Sequence, residues 1–291
     1  MKVLTLIESG RVAHEVLSQG AGTICAIFRR SVYLHFPGDR YACLGDAALG
    51  RGPINGIVLE GHLLPSLRLG DRIEIRFGNE VIWSPTTRVG RKALADISPG
   101  NLRSLELAAA RRIPREGLGG GLIGGTSPLL KKAAPALRAL HGWLGAARAP
   151  LPRARGHGLL GLGPGLTPSG DDYLAGVLVA LRAIGEDATA DRLWDDLRST
   201  ADRRTNAISR AHLRAAAAGE AHEALHLCLE QLFGESDAQW DYPLARLDAV
   251  GHCSGWDGLA GAGAVARSAL YRRRTPGARC NEAAVLAAVP E

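Results

Sequence analysis

Residues 159–185 read LLGLGPGLTPSGDDYLAGVLVALRAIG. The stretch opens as a loop dense in Gly161, Gly163, Pro164, Gly165, Pro168 and Gly170, and then loses almost every polar side chain. After Asp172 the only charge before Gly185 is Arg182. A helix apolar on nearly every side is buried on nearly every side, which predicts a mostly helical domain packed around this segment. Its N-terminus, with Thr167, Ser169, Asp171 and Asp172, then sits at the mouth of a packed core. Carboxylates there are costly unless a cation, a metal or hydrogen-bond donors meet them. Two readings follow. Ser169 and Asp172 fit a capping box, which leaves Asp171 free. Alternatively the loop is an anion or metal site, because a capping box does not need so many glycines and prolines before it. Successive helical residues diverge by about 100°, so Asp171 and Asp172 do not face one site from a regular helix.

A second stretch repeats the pattern. Ser254-Gly255-Trp256-Asp257-Gly258-Leu259-Ala260-Gly261 matches Ser169 through Gly176 at the Ser, Gly, Asp, Leu, Ala and Gly positions, and Arg267 falls where Arg182 does, at a constant offset of 85 residues. An internal pseudo-repeat predicts two helix starts facing one pocket, each offering free N–H groups and an Asp. Gly176 and Gly261 would let the two backbones come close.

Bulk composition narrows the classes. With 291 residues, 46% hydrophobic and 22% charged, the chain is long enough for one large or two ordinary domains with ample core. The net charge of +6 does not make it a nucleic-acid binder: aromatics are only 5% and no basic stripe with interleaved aromatics occurs. Lys appears only at Lys2, Lys92, Lys131 and Lys132, so the positive charge is Arg, suited to an anionic substrate. Cys25, Cys43, Cys228, Cys253 and Cys280 show no C-x-x-C spacing and read as reduced thiols. No signal-peptide layout and no apolar run of about 18 residues is found, so the expectation is a cytoplasmic protein that does not enter a membrane.

The order of elements predicts an α+β chain. Residues 1–95 form a small antiparallel β barrel or sandwich, and residues 96–291 form a mostly α-helical domain carrying both motifs. Residues 1 to about 20 read as a short strand or helical lead-in. Strands follow at 24–28, 32–36, 57–59 and 73–77, and Gly78-Asn79 suits a two-residue hairpin turn into Val81-Ile82-Trp83. In this β part Arg51, between Gly50 and Gly52, is either a solvated loop residue or a guanidinium delivered to an anion. Helices are expected from Leu102, from Leu129 to about Leu144, across 190–199, from Thr205, from Gly258 and across 282–289. The glycines of 117–125 read as a flexible connection, and Ala149 to Arg155 as the approach to the central motif. Asn206 and Ser209, three apart, share a helix face and are candidates for a polar substrate, unless Thr205 is simply an N-cap. His222-Glu223-Ala224-Leu225-His226 has the zinc-protease spacing but lacks a marked third ligand, and that reading is not adopted. His252 is a candidate donor or proton carrier at the second helix mouth.

With these blocks in view the chain resembles the AllH-type family, one member of which is assigned as a subunit of oxamate carbamoyltransferase in allantoin breakdown. The resemblance rests on GLGPGLTPSGDDYLAG (161–176), Thr205 through Ile208-Ser209 to Leu213 and Gly219, GHCSGWD (251–257), and Gly50-Arg51-Gly52-Pro53. The third block carries Cys253 where the family pattern has Thr. The resemblance implies work within an assembly, beside an acyl-CoA-synthetase-like subunit and a companion subunit, that exchanges a carbamoyl group between an oxamate- or oxalurate-type amide and phosphate. Physical inference then assigns roles. Gly165, Thr167, Ser169 and Gly170 cradle phosphate or an oxyanion, with Asn206, Ser209, Ser254, Gly255, Asp257 and Arg51 as further binding candidates. Asp171, Asp172 and His252 are the catalytic candidates, and Asp171 and Asp172 are the candidate ligands should a divalent ion such as Mg or Mn take part. Two rivals stand beside this: a non-catalytic small-anion-binding scaffold or regulatory subunit, and a metal-dependent amide or ADP-ribosyl hydrolase.

Overall fold

The computed structural model describes residues 2–85, 97–146, 157–234 and 237–274. The expected segments at 149–155 and 282–289, with Lys92 and Cys280, lie outside them. The chain divides into two compact units, Met1–Thr86 with Glu220–Glu223, and Thr87–Gly219 with Ala224–Glu291.

The first unit is a six-stranded barrel with one added strand. Its strands are β1 (Lys2–Gly10), β2 (Gly22–Ile27), β3 (Ser31–Phe36), β4 (Arg40–Gly45), β5 (Asn55–Val58), β6 (Arg72–Arg76) and β7 (Val81–Trp83), with helix α1 (Arg11–Leu17) between β1 and β2. The order runs β5-β4-β3-β2-β6-β1, and a β5–β1 pairing closes the ring. Closure removes the open edges that a sheet must otherwise protect. The alternation expected at β6 is present, with Ile73 and Ile75 inside and Arg72, Glu74 and Arg76 outside. Leu4, Leu6, Ile24, Val32, Leu34 and Phe36 fill the interior with them, and α1 adds Ala13, Val16 and Leu17.

One detail settles an alternative the sequence left open, and two differ from the sequence reading. The lead-in is the closing strand itself: β1 pairs with both β5 and β6. The barrel is mixed, because β1–β6, β1–β7 and β4–β5 run parallel beside the antiparallel pairs. A parallel pair needs a crossover, and the loop 46–54 supplies one between β4 and β5. The turn at Gly78-Asn79 does not make a hairpin. β7 continues along β1, where Glu8 to Gly10 oppose Val81 to Trp83, after β6 has used Lys2 to Thr5.

The second unit is helical: α2 (Pro99–Ala109), α3 (Pro128–Ala146), α4 (Ser169–Ala183), α5 (Asp187–Arg204), α6 (Ala207–Ala217), α7 (starting at Glu223, to Phe233), α8 (Asp241–Leu247) and α9 (Ser254–Arg274). Helix α4 is the apolar segment of the opening motif, with Leu174, Val177, Leu178 and Leu181 fully buried. Each such side chain contributes about 1.5–3 kcal/mol of burial. Its partner is α9, the second copy of the motif. A Cβ on Gly176 would lie 1.8 Å from the Gly258 carbonyl oxygen, and one on Gly261 would lie 2.1 Å from that of Tyr173. Tyr173 and Gly258 are themselves related by the same offset of 85. The two contacts therefore exchange when the repeats exchange, as across a two-fold interface. The repeat is structural.

The expected HExxH helix does not hold two imidazoles on one face. α7 begins at Glu223, so His222 precedes it. The His222 ring lies 3.1 Å from the Leu49 carbonyl, and Glu223 pairs with Arg51 at 3.1 Å. No helix among the described residues is long and apolar enough to cross a membrane.

Candidate functional site

The loop before α4 is built by backbone economy. Gly161 has φ +70°, and a Cβ there would strike the Arg204 carbonyl at 1.9 Å. Only glycine lets the loop lie against the end of α5. The expected capping box does not form. Pro168 is the N-cap of α4 without a side-chain bond, and its carbonyl receives the amides of Asp171 and Asp172. With N-terminal amides served by backbone, Ser169, Asp171 and Asp172 are released for tertiary contacts.

The two neighbouring carboxylates do diverge. Asp171, 1% exposed, accepts from the Gly161 amide at 2.8 Å, from the Ser209 hydroxyl at 2.7 Å and from the Thr205 hydroxyl. Burial raises its pKa, and the Thr205, Ser209 and Gly161 donors pull it back. It ties the glycine loop to the α5–α6 junction. Asp172 turns toward α9. It is half-buried, but its Oδ2 is sealed from solvent without a hydrogen-bond partner. Burial pushes its pKa well above the usual carboxylate range. Asp257 and, less, Asp171 add to the rise, against the hydroxyls of Ser254 and Thr167.

Asp257 is the repeat partner of Asp172. Fully buried, it accepts from the Leu118 and Gly119 amides at 2.6 and 2.7 Å through Oδ1, while Oδ2 has no partner. Burial pushes its pKa up to about 6, against the Ser169 hydroxyl and those two amides. The serines act crosswise: Ser254 on Asp172 and Ser169 on Asp257. The Thr167 and Ser254 hydroxyls meet at 3.0 Å. The two helix starts thus face each other, and at their junction stand two carboxyls, both raised by burial, with Asp172 raised further by the charge of Asp257. Among the described residues no Lys or Arg pairs with either.

Next to this junction lies an open cleft of about 400 Å³, lined by Gly161, Gly163, Gly165, Pro168, Arg203, Arg204, Thr205 and Asn206. The exposed Arg203 and Arg204 give it the charge an anion needs.

The site residues named from sequence sort as follows. Gly165 and Asn206 line the cleft. Asn206, not Thr205, is the N-cap of α6: its Oδ1 accepts from the Ser209 amide at 3.0 Å, and its Nδ2 donates to the Leu166 carbonyl at 2.8 Å. Gly170 gives its amide to the Leu162 carbonyl and Gly255 gives its own to Val250. Those two N–H groups are already used. Ser169, Thr167, Ser254, Asp172 and Asp257 gather at the helix junction, and Ser209 serves Asp171. The His252 side chain is 77% exposed, with Nε2 3.4 Å from Glu116 Oε2. Arg51, in the barrel unit, is held by Glu8 at 2.6 Å and Glu223 at 3.1 Å.

Sequence reasoning missed Arg203 and Arg204, which the start of the neighbouring block at Thr205 could have flagged. It also took 117–125 for a flexible connection. Gly119–Ile123 is instead a 3-10 turn clamped by Asp257, and a carboxylate accepting two successive amides is not a pattern a linear reading contains.

Residues 159–266 match the family model described as oxamate carbamoyltransferase subunit AllH. Neither the curated proteins nor the solved structures gave a match. The matched segment holds α4, the first 13 residues of α9, the cleft, and both members of the Asp172–Asp257 pair.

Proposed function

We propose, with the AllH match over residues 159–266 as premise, that the chain is a carbamoyltransferase subunit. It works with partner subunits to move a carbamoyl group between an oxamate-type amide nitrogen and phosphate. In the direction that consumes the carbamoylated amide, a phosphate oxygen adds to the carbamoyl carbon, the C–N bond breaks, and the departing nitrogen takes a proton. The reaction therefore needs an anion site and a group that holds a proton near neutral pH. The observation that carries the reading is that both border one loop, the segment 161–168 ahead of α4. Arg203, Arg204 and the glycines of 161–165 line the cleft, and Thr167 connects that loop through Ser254 to the Asp172–Asp257 pair.

In this reading Arg203 and Arg204 hold the phosphate or the oxamate carboxylate. Asp171, saturated by three donors, is a positioning residue that keeps the loop against Thr205. The buried Asp pair retains a proton and releases it toward the departing nitrogen. The sharpest test titrates inorganic phosphate and oxamate against the full chain while thermal unfolding is followed. Binding of either raises the midpoint, and the Arg203→Ala/Arg204→Ala protein requires at least about tenfold more ligand for the same rise. An identical shift in that variant rejects the cleft.

A second reading, an anion-binding subunit without catalytic groups, is favoured by the internal engagement of Asp171, Asn206 and Ser209. The readings part in the complex reassembled with its partner subunits. There Asp172→Asn abolishes carbamoyl transfer if the chain supplies the proton, and leaves it intact if the chain only binds.

A further inference from the structure

The residues just ahead of α9 gather donors that the carbamoyl-transfer reading does not use. Glu116, His252 and Cys253 bring a carboxylate oxygen, a ring nitrogen and a thiol sulfur within 4.8 Å of one another. His252 Nε2 and Glu116 Oε2 are 3.4 Å apart, close to the edge of about 3.3 Å spanned by two ligands of a tetrahedral zinc ion bound at about 2.0–2.1 Å.

A buried carboxylate, outside the three donors, stands behind Cys253. Asp257 is fully buried, and its Oδ2 has no hydrogen-bond partner. A Cβ on Gly117, which follows Glu116, would meet Asp257 Oδ1 at 2.6 Å, Cys253 Cβ at 2.9 Å and Asp257 Oδ2 at 3.0 Å. Gly117 has φ +79°, and a side chain there would collide with both neighbours, so glycine lets the turn after Glu116 pack against Cys253 and Asp257. A bound divalent ion deprotonates a coordinating thiol, which suits Cys253 as the third donor beside the imidazole and the carboxylate.

We propose that Glu116, His252 and Cys253 form a three-residue zinc-binding site with an open fourth position, and that the buried Asp257 carboxylate lies behind it as a counter-charge. A thiolate, an imidazole and a carboxylate together favour zinc over the oxygen-loving Mg or Mn. The site stands independently of the carbamoyl-transfer reading.

The experiment uses the full chain, stripped with chelator and dialysed, then loaded with zinc for metal content and with cobalt for its spectrum. One equivalent of zinc is retained, and cobalt gives the charge-transfer band of a thiolate ligand. Cys253→Ser abolishes that band and weakens zinc binding at least about tenfold, and His252→Gln, at a 77% exposed side chain, weakens zinc to a similar degree without disturbing the fold. Cys25→Ser, at an exposed cysteine of the barrel, leaves both unchanged. Substoichiometric zinc overturns the proposal. A cobalt–thiolate band that survives Cys253→Ser overturns it too.

Discussion

Asp257 concentrates the energetic conflict of the helix junction in one side chain. Its Oδ1 accepts from two amides and the Ser169 hydroxyl also favours the ionised form, yet Oδ2 is sealed from solvent without a hydrogen-bond partner. Burial outweighs those bonds and lifts its pKa from 3.8 to about 6. The sign for stability follows from proton counting. Between about pH 4 and pH 6 the folded chain holds a proton on Asp257 that the unfolded chain has released, so folding is favoured as pH falls through that window. Above pH 6 the folded state carries the ionised form at a cost on the order of 3 kcal/mol. With chelator present, the unfolding free energy should therefore rise as pH is lowered from 7 to 5. Asp257→Asn, which keeps an oxygen for the Leu118 and Gly119 amides, should flatten the rise and be the more stable protein at pH 7. Denaturant titrations at the two pH values check this. A wild-type curve that falls over that range would contradict the burial of a lone carboxylate.

Between elements, the α4–α9 pair is the feature most fully written in the sequence. The apolar run of α4, the matching Ser, Gly and Asp residues and the constant offset predict two similar helices in close contact. Gly176 and Gly261 then meet Gly258 and Tyr173 reciprocally. What the linear pattern does not disclose is which N-terminal groups are consumed. The capping box and the Thr205 cap are plausible from spacing alone. Pro168 and Asn206 take those places because the loop folds back through Gly161 and the Gly170 amide bonds to Leu162. Such choices depend on tertiary closure. The reciprocal glycines give a clear prediction. Alanine in place of glycine in a helix ordinarily adds up to about 1 kcal/mol. At either position here, however, the new methyl falls about 2 Å from a partner carbonyl, an overlap costing about 3 kcal/mol or more unless the helices part. Gly176→Ala and Gly261→Ala should each lose about 2 kcal/mol or more in denaturant unfolding, and by similar amounts because the contacts are equivalent. A stabilised Gly176→Ala would mean that propensity, not close approach, governs the position.

At the level of the whole chain, strand periodicity announces a barrel but not how it closes. β1 reads ambiguously because it changes partners along its length, β6 for its first half and β7 for its second. Nor is it evident from sequence that four residues from far downstream complete the barrel unit. Glu220 to Glu223 belong to it, where Glu220 bonds Arg11 Nε at 3.0 Å, Glu223 pairs with Arg51, and the Glu223 amide donates to the Arg51 carbonyl at 2.9 Å. The Arg51 loop is held there in turn, since the Ala13 amide of α1 donates to the Pro53 carbonyl at 2.8 Å. Long-range attachments of this kind leave no local periodicity to detect. They are also individually modest: half-exposed ion pairs are worth about 0.2–1 kcal/mol, somewhat more for the less exposed Glu220. The Glu220→Ala/Glu223→Ala protein should therefore still fold, with the barrel weakened by about 1–2 kcal/mol. Native-state hydrogen exchange offers the clearest readout. The amides of Ala13 and of residue 223 should exchange about tenfold faster, while the central amides of α4, which share no bond with these carboxylates, provide the internal reference. Unchanged exchange at Ala13 would show that the downstream residues rest on the barrel without holding it.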